Sequence, residues 1–178
     1  IAPMGDFDPR LVSAVGREIG RVFHASVCVR PLLDDWSFAF DAGREQFHST
    51  PILGRLCAAA PPEAFKILAL ADVDLFIPIL THVYGEAQLG GKACIVSTHR
   101  LNAGSGVRCF SEKAFARVAK EAVHELGHTF NLRHCPDPAC VMHYCRSEAD
   151  VDRKSSDFCR YCRVMLDDER RRMEGLEK

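Results

Sequence analysis

The sequence predicts an α+β fold: a twisted, mixed β-sheet with helices packed on it, one long helix carrying the candidate functional residues, and a smaller cysteine-rich C-terminal subdomain ending in a helix. Three observations carry this expectation. Apolar residues in the first half switch repeatedly between helical and strand-like spacing, an amphipathic segment opens at a capping serine, Ser111, and five of the nine cysteines fall in the last quarter of the chain. With 178 residues, 47% of them apolar, the chain is long enough to bury one proper core, and a single domain is expected. Within it, residues 1–134 are assigned to an upper sheet-and-helix part and residues 135–178 to a lower part.

Taken in order, Pro9 to Val22 places Leu11, Val12, Val15, Ile19 and Val22 at helical spacing. His24 to Arg30 then alternates Ala25, Val27 and Val29 in the manner of a strand. Pro51 to Ala60 carries Ile52, Leu53, Leu56 and Cys57 at helical spacing until Pro61 and Pro62 stop it, and Phe65 to Ala71 follows as a short buried run compatible with a strand. Leu75 to Leu80, Val83 to Tyr84 and, after the Gly90-Gly91 turn, Ala93 to Thr98 supply further strands. A sheet with helices laid on it is the arrangement that buries both kinds of apolar face.

A glycine- and serine-rich loop, Asn102 to Gly106, leads to Ser111, a good N-cap, and Glu112 opens a helix expected to run through about Leu132. Phe115, Val118, Ala119, Ala122, Leu126 and Phe130 fall on one face of it, whereas Arg117, Glu121, His124 and His128 cluster about half a turn away. A last helix is expected to follow Asp157 and run to about Arg172.

Charge and composition exclude several classes. Lysines and arginines number 23 against 24 acids, so no basic footprint for nucleic acid or an anionic membrane surface exists. The longest apolar runs are interrupted by Asp72, Asp74 and Pro78, far short of the ~20 residues that span a bilayer. No basic-then-apolar leader opens at Ile1, although a removed one would leave no trace. Cys28, Cys57, Cys94 and Cys109 are scattered singly, and their odd total with the other five favours a reducing, cytoplasmic setting over a disulfide framework.

The long helix ends in His124-Glu125-Leu126-Gly127-His128, continuing through Asn131 to His134. Residues four apart on a helix share a face about 6 Å apart, so two imidazoles there can hold one ion while the intervening glutamate leans toward water beside it. His134 supplies a third nitrogen if the chain leaves the helix sharply near Asn131 and doubles back. Three histidines leave a fourth position of a tetrahedral zinc ion for water, with Glu125 as general base, which is the equipment of a zinc-dependent peptidase. One helical histidine alone is usually a satisfied core or surface residue, and His24, His48, His82 and His99 stay unassigned on that ground.

This run resembles the extended zinc signature of the metzincins, and its cysteines narrow the resemblance to the archaemetzincins. There the third histidine is followed directly by a cysteine, a second cysteine, a methionine two residues beyond it and a later Cys-x-x-Cys; Cys135, Cys140, Met142, Cys159 and Cys162 match in order. The resemblance spans residues 124 to 162 and implies a zincin-like, metzincin-like fold and a zinc metallopeptidase, either an endopeptidase or an aminopeptidase. It also implies that Met142 packs beneath the histidines as a Met-turn, and that Tyr144 stands where some metzincins place a tyrosine that approaches the zinc. Substrate would lie extended along an edge strand, for which Tyr84 to Leu89 and Ala93 to Thr98 are the candidates. The chain departs from the pattern at Asn131, where metzincins usually carry glycine; the turn requires a positive φ, which asparagine reaches best among the other residues.

Cys135, Cys140, Cys159 and Cys162 offer four thiolates, the ligand set of a closed structural zinc site, with Cys159 and Cys162 in the first turn of the last helix. Two zinc ions are therefore expected, one catalytic and one structural, in a monomer that acts on peptide or protein. Because Cys135 adjoins His134, the structural ion would also fix the third catalytic ligand. His143 and Cys145 stay unassigned. The competing class is a zinc-stabilised binding module, with the mixed charges of Asp167 to Glu174 as its contact surface, but metal binding alone has no need of Glu125.

Overall fold

The computed structural model describes residues 1–102 and 111–176, so Cys109 and all but the first residue of the expected Asn102 to Gly106 loop lie outside the described residues. The elements are β1 (Ala2–Met4), α1 (Pro9–Phe23), a 3-10 turn (Ser37–Ala39), β2 (Phe40–Asp41), β3 (Gln46–His48), α2 (Ser49–Ala58), β4 (Ile67–Ala71), β5 (Leu75–Phe76), β6 (Gly85–Ala87), β7 (Ala93–Ser97), α3 (Glu112–Thr129), α4 (Glu148–Arg153) and α5 (Arg160–Leu176). One sheet has the order β1-β4-β7-β6, with β4 parallel to β1 and β7, and β6 antiparallel to β7. β2, β3 and β5 make a second, smaller sheet. Among the described residues, no helix is long and apolar enough to cross a membrane.

β4 and β7 are buried at every position because helices cover both of their faces, which is why each is a continuous apolar run. Leu68, Leu70, Cys94 and Val96 point into a core with α1 and α3, while Ile67, Ala69, Ala71 and Ile95 point into a second core with α2. α1 starts as the sequence dictates: Asp8 accepts a hydrogen bond from the Arg10 amide at 2.8 Å, Pro9 opens the helix, and Leu11, Val15, Ile19 and Val22 are its buried stripe.

Several expected elements differ. His24 to Arg30 is not a strand: His24 closes α1 in a left-handed conformation (φ 50°), and the segment meets the β1 edge only at Ile1, whose amino group donates to the Cys28 carbonyl and whose carbonyl accepts from the Arg30 amide. Val29 is 52% exposed and only Val27 of the alternating residues packs against the core, so the alternation there has no continuous buried face to serve. Leu75 to Leu80 contributes only its first two residues, because Pro78 cannot donate and a turn bonds the Leu80 amide to the Ile77 carbonyl. Val83 makes an isolated bridge to Leu75, and the neighbouring strand begins at Gly85. The smaller sheet was not anticipated, since strands of two and three residues are too short to show a period. The long helix ends at Thr129 rather than near Leu132, and the last helix starts at Arg160 and runs on to Leu176.

Candidate metal centres

α3 sets the first cluster. Ser111 caps it by accepting a hydrogen bond from the Ala114 amide at 3.1 Å. Its apolar stripe packs on α1 and β7, leaving Glu121, His124, Glu125 and His128 toward a cleft of about 550 Å³. The helix ends by a Schellman arrangement: the Leu132 amide donates to the Gly127 carbonyl at 3.2 Å, the Asn131 amide donates to His128 at 2.9 Å, and Asn131 has φ 64°. Asparagine thus occupies the left-handed position, and the reversal brings His134 back to the helix.

The three rings meet, with centroid separations of 4.7 Å for His124–His128, 5.3 Å for His124–His134 and 4.9 Å for His128–His134. One nitrogen from each lies within 4.8 Å of the others. His124 Nδ1 donates to the Val141 carbonyl at 2.8 Å and His128 Nδ1 to the Leu132 carbonyl at 2.7 Å, so each Nε2 carries a bare lone pair. These two Nε2 atoms face each other at 3.2 Å, a repulsive approach unless a cation lies between them. A tetrahedral zinc with Zn–N near 2.05 Å would space its nitrogens by about 3.3 Å, so the donor set fits that ion. Burial pushes all three imidazoles down, His128 to about 4, which keeps them neutral as metal binding requires.

Glu125 sits beside this triad, buried against β6, and burial together with the nearby Glu121 carboxylate pushes its own carboxyl up. A dication held by the adjacent imidazoles acts in the opposite sense. Met142 is fully buried under α3: a Cβ added to Gly127 would stand 2.5 Å from its sulfur. The turn carrying it is held by the His143 amide bonding to Cys140 at 2.9 Å and the Cys135 amide bonding to Met142 at 2.9 Å. Tyr144 follows, 45% exposed, with its ring 5.1 Å from that of His134.

The four cysteines form the second cluster, their sulfurs all within 4.8 Å of one another. Cys135 and Cys159 sulfurs are 3.7 Å apart, too far for a disulfide at about 2.05 Å but matching the ~3.8 Å edge of a tetrahedron with Zn–S near 2.3 Å. None of the eight described cysteines is in a disulfide. Cys140 and Cys162 are buried, and burial pushes both thiols up, so closing the cluster without a metal would strand protonated thiols in the interior. Cys162 lies in the first turn of α5, whereas Cys159 immediately precedes that helix. His143, unassigned from the sequence, donates from Nδ1 to the Cys135 carbonyl at 3.0 Å and so ties the two clusters at their junction.

Of the two candidate edge strands, Ala93 to Thr98 is excluded, because β7 is paired on both sides. β6 is the edge and flanks the cleft. Along α5, Asp168 pairs with Arg171 and Glu169 with Arg172 on the exposed face, while Arg170 donates to the Phe23 carbonyl. Sequence reasoning missed Gly85 and Lys154. A glycine inside a strand signals a close approach in general, but nothing near Lys154 announced that it would be buried.

Comparison with known proteins agrees with this arrangement. Residues 63–168 match the model of peptidase family M54. The archaemetzincin of Archaeoglobus fulgidus is 37% identical over 151 residues, 85% of this chain and 88% of that one. The archaemetzincin of Methanocaldococcus jannaschii is 34% identical over 94% of this chain and 92% of its own. The crystal structure of archaemetzincin from Methanopyrus kandleri superposes with a TM-score of 0.81 at 31% identity, covering 96% of this chain and 93% of that one. The expected metzincin-like α+β fold is therefore the fold observed, and the chain belongs to peptidase family M54, the archaemetzincins.

Proposed function

We propose that this zinc-dependent metallopeptidase hydrolyses peptide bonds with His124, His128 and His134 holding the catalytic zinc and Glu125 serving as general base. The observation that supports the proposal is the convergence of three imidazoles beside a buried carboxylate, with the Nε2 atoms of His124 and His128 each oriented by a carbonyl behind the ring. Cys135, Cys140, Cys159 and Cys162 hold a second, structural zinc.

When bound, the catalytic zinc supplies a Lewis acid that makes water nucleophilic near neutral pH and offsets charge on the carbonyl oxygen. The Glu125 carboxylate takes a proton from the attacking water as the new C–O bond forms, then delivers it to the leaving nitrogen as the C–N bond breaks. Substrate lies extended along the free edge of β6, adding a strand to the sheet. Tyr144, beside His134 and half-exposed at the cleft, donates from its hydroxyl to the carbonyl oxygen as charge develops there. The near-neutral net charge of the chain supports a peptide partner over nucleic acid.

Elemental analysis of the purified protein, with a broad peptide library cleaved by the wild type and by Glu125→Gln, tests this reading. Two zinc ions per chain in both proteins and cleavage only by the wild type are expected, and the products distinguish internal cleavage from removal of an N-terminal residue. Two zinc ions with no cleavage by either protein would overturn the assignment in favour of a binding module.

A further inference from the structure

The peptidase reading leaves one buried charge pair unused. Lys154, the C-cap of α4, is fully buried, and its Nζ lies 2.7 Å from Oε1 of Glu121, itself only 4% exposed. Removing two such charges from water costs several kcal/mol each, and apolar residues of the same volume would fill the space without that cost. Ligand orientation does not explain the pair. Lys154 Nζ is 3.5 Å from His124 Nδ1, but that nitrogen already donates to the Val141 carbonyl.

The two members of the pair differ in what they face. Glu121 lines the cleft, one helical turn before Glu125 and close to Tyr84 and Cys145, whereas Lys154 stands behind it out of reach. The ammonium approaches Oε1, which is buried and makes no directed hydrogen bond, so Lys154 balances the charge from behind and the carboxylate's other oxygen, Oε2, is the acceptor left for the cleft. A carboxylate only accepts hydrogen bonds. With its charge balanced from behind, it presents the cleft with one acceptor oxygen in a nearly charge-neutral setting.

We propose that Glu121 is a specificity-determining residue: its carboxylate, held by Lys154, accepts hydrogen bonds from the end of a substrate side chain that carries N–H donors, a carboxamide, ammonium or guanidinium. This rests on the reading of the cleft as a peptide-binding site. An apolar side chain entering here would strip water from the carboxylate and return no donor, and an ionised acidic one would bring only further acceptors. Sites built to hydrogen-bond a substrate group reject analogues lacking it far more strongly than apolar pockets reject a missing methylene.

The test uses full-length, zinc-loaded protein and peptides that differ only by glutamine, lysine or norleucine at each position flanking the scissile bond. At one position, the donor-bearing peptides should exceed norleucine by at least about tenfold in kcat/KM. The double variant Glu121→Ala/Lys154→Met, which removes both charges and leaves neither alone, should bring that ratio to within about twofold, with zinc content unchanged as evidence of folding. Should the double variant not fold, Glu121→Gln keeps the size but replaces the carboxylate by a weaker, uncharged acceptor; it should reduce the advantage of both donor-bearing peptides over norleucine severalfold, the lysine peptide more than the glutamine peptide. The same peptides, fluorescently labelled, are bound to Glu125→Gln and measured by anisotropy, which reads the preference without cleavage. No discrimination at any position, or discrimination that survives loss of the pair, overturns the inference, whereas absence of cleavage with a preserved binding preference overturns only the peptidase reading.

Discussion

Gly85 on β6 and Glu125 on α3 touch so closely that no side chain fits between them: a Cβ on Gly85 would stand 2.7 Å from Cγ and 2.9 Å from Cδ of Glu125, and 2.6 Å from the Ile95 carbonyl oxygen. The strand proposed to hold the substrate and the carboxylate proposed to move the proton are thus in direct contact. The Ile95 carbonyl belongs to an interior strand and cannot retreat, so any added atom must displace Glu125 or β6.

Gly85→Ala is therefore expected to lower stability by about 1–3 kcal/mol through overpacking. It should reduce kcat by about a hundredfold, because shifts near 1 Å in a catalytic group carry that cost. Zinc content should hold, since the imidazoles are oriented from the other side. Denaturant unfolding with steady-state kinetics checks this, and an unimpaired kcat would show that the contact is dispensable.

Asn131 turns the chain with φ 64° between Thr129 and His134. Asn131→Gly should stabilise the fold by up to about 1 kcal/mol, because glycine meets no Cβ penalty there. Asn131→Val should cost more than about 1 kcal/mol and weaken zinc retention against a chelator, since the Leu132 carbonyl that orients His128 follows directly. Equal chelator resistance in both variants would mean that the turn does not govern the triad.

Met142 packs against Gly127 with no free space, with Phe158 a further 3.3 Å contact for any added Cβ. Gly127→Ala should push the methionine out of its place and cost about 1–3 kcal/mol. Gly127→Ala combined with Met142→Ala should recover part of that loss, which a double-mutant cycle in urea would measure. Additive losses would place the strain elsewhere.

Lys66 donates to the carbonyls of Thr129 at 2.7 Å and Gly91 at 2.8 Å, closing the C-terminal end of α3. Burial pushes its ammonium down from 10.5 to about 8. Between those values the unfolded chain binds a proton that the folded chain has released, so this group's contribution to stability rises with pH from about 8 to about 10.5. Subtracting the pH dependence of Lys66→Met from that of the wild type should leave this rise, and a flat difference would contradict it.

What the sequence made legible was local. His124, Glu125 and His128 share a helix face by spacing alone, His134 needed one turn whose αL residue could be named in advance, and the cysteine spacing pointed to a shared cluster. The strands β4 and β7 were visible because burial on both faces leaves a continuous apolar run. Elements that depend on distant partners were not legible. His24 to Arg30 alternates like a strand yet finds no ladder beyond its two bonds to Ile1, and the smaller sheet depends on β3 meeting β5 across the intervening α2 and β4. Glu121 and Lys154 lie far apart in the chain, so neither announced the other, and Gly85 showed its meaning only once β6 was laid against α3.

The central claim is that three imidazoles share one ion beside a free coordination position and a carboxylate. Diffraction from zinc-loaded crystals at wavelengths flanking the zinc absorption edge measures this directly. One anomalous peak should lie about 2.1 Å from nitrogens of His124, His128 and His134, with no fourth protein ligand and Glu125 within reach of a solvent molecule on the ion. A peak bound by only two of these histidines, or one whose remaining position is filled by a protein atom, would contradict the account.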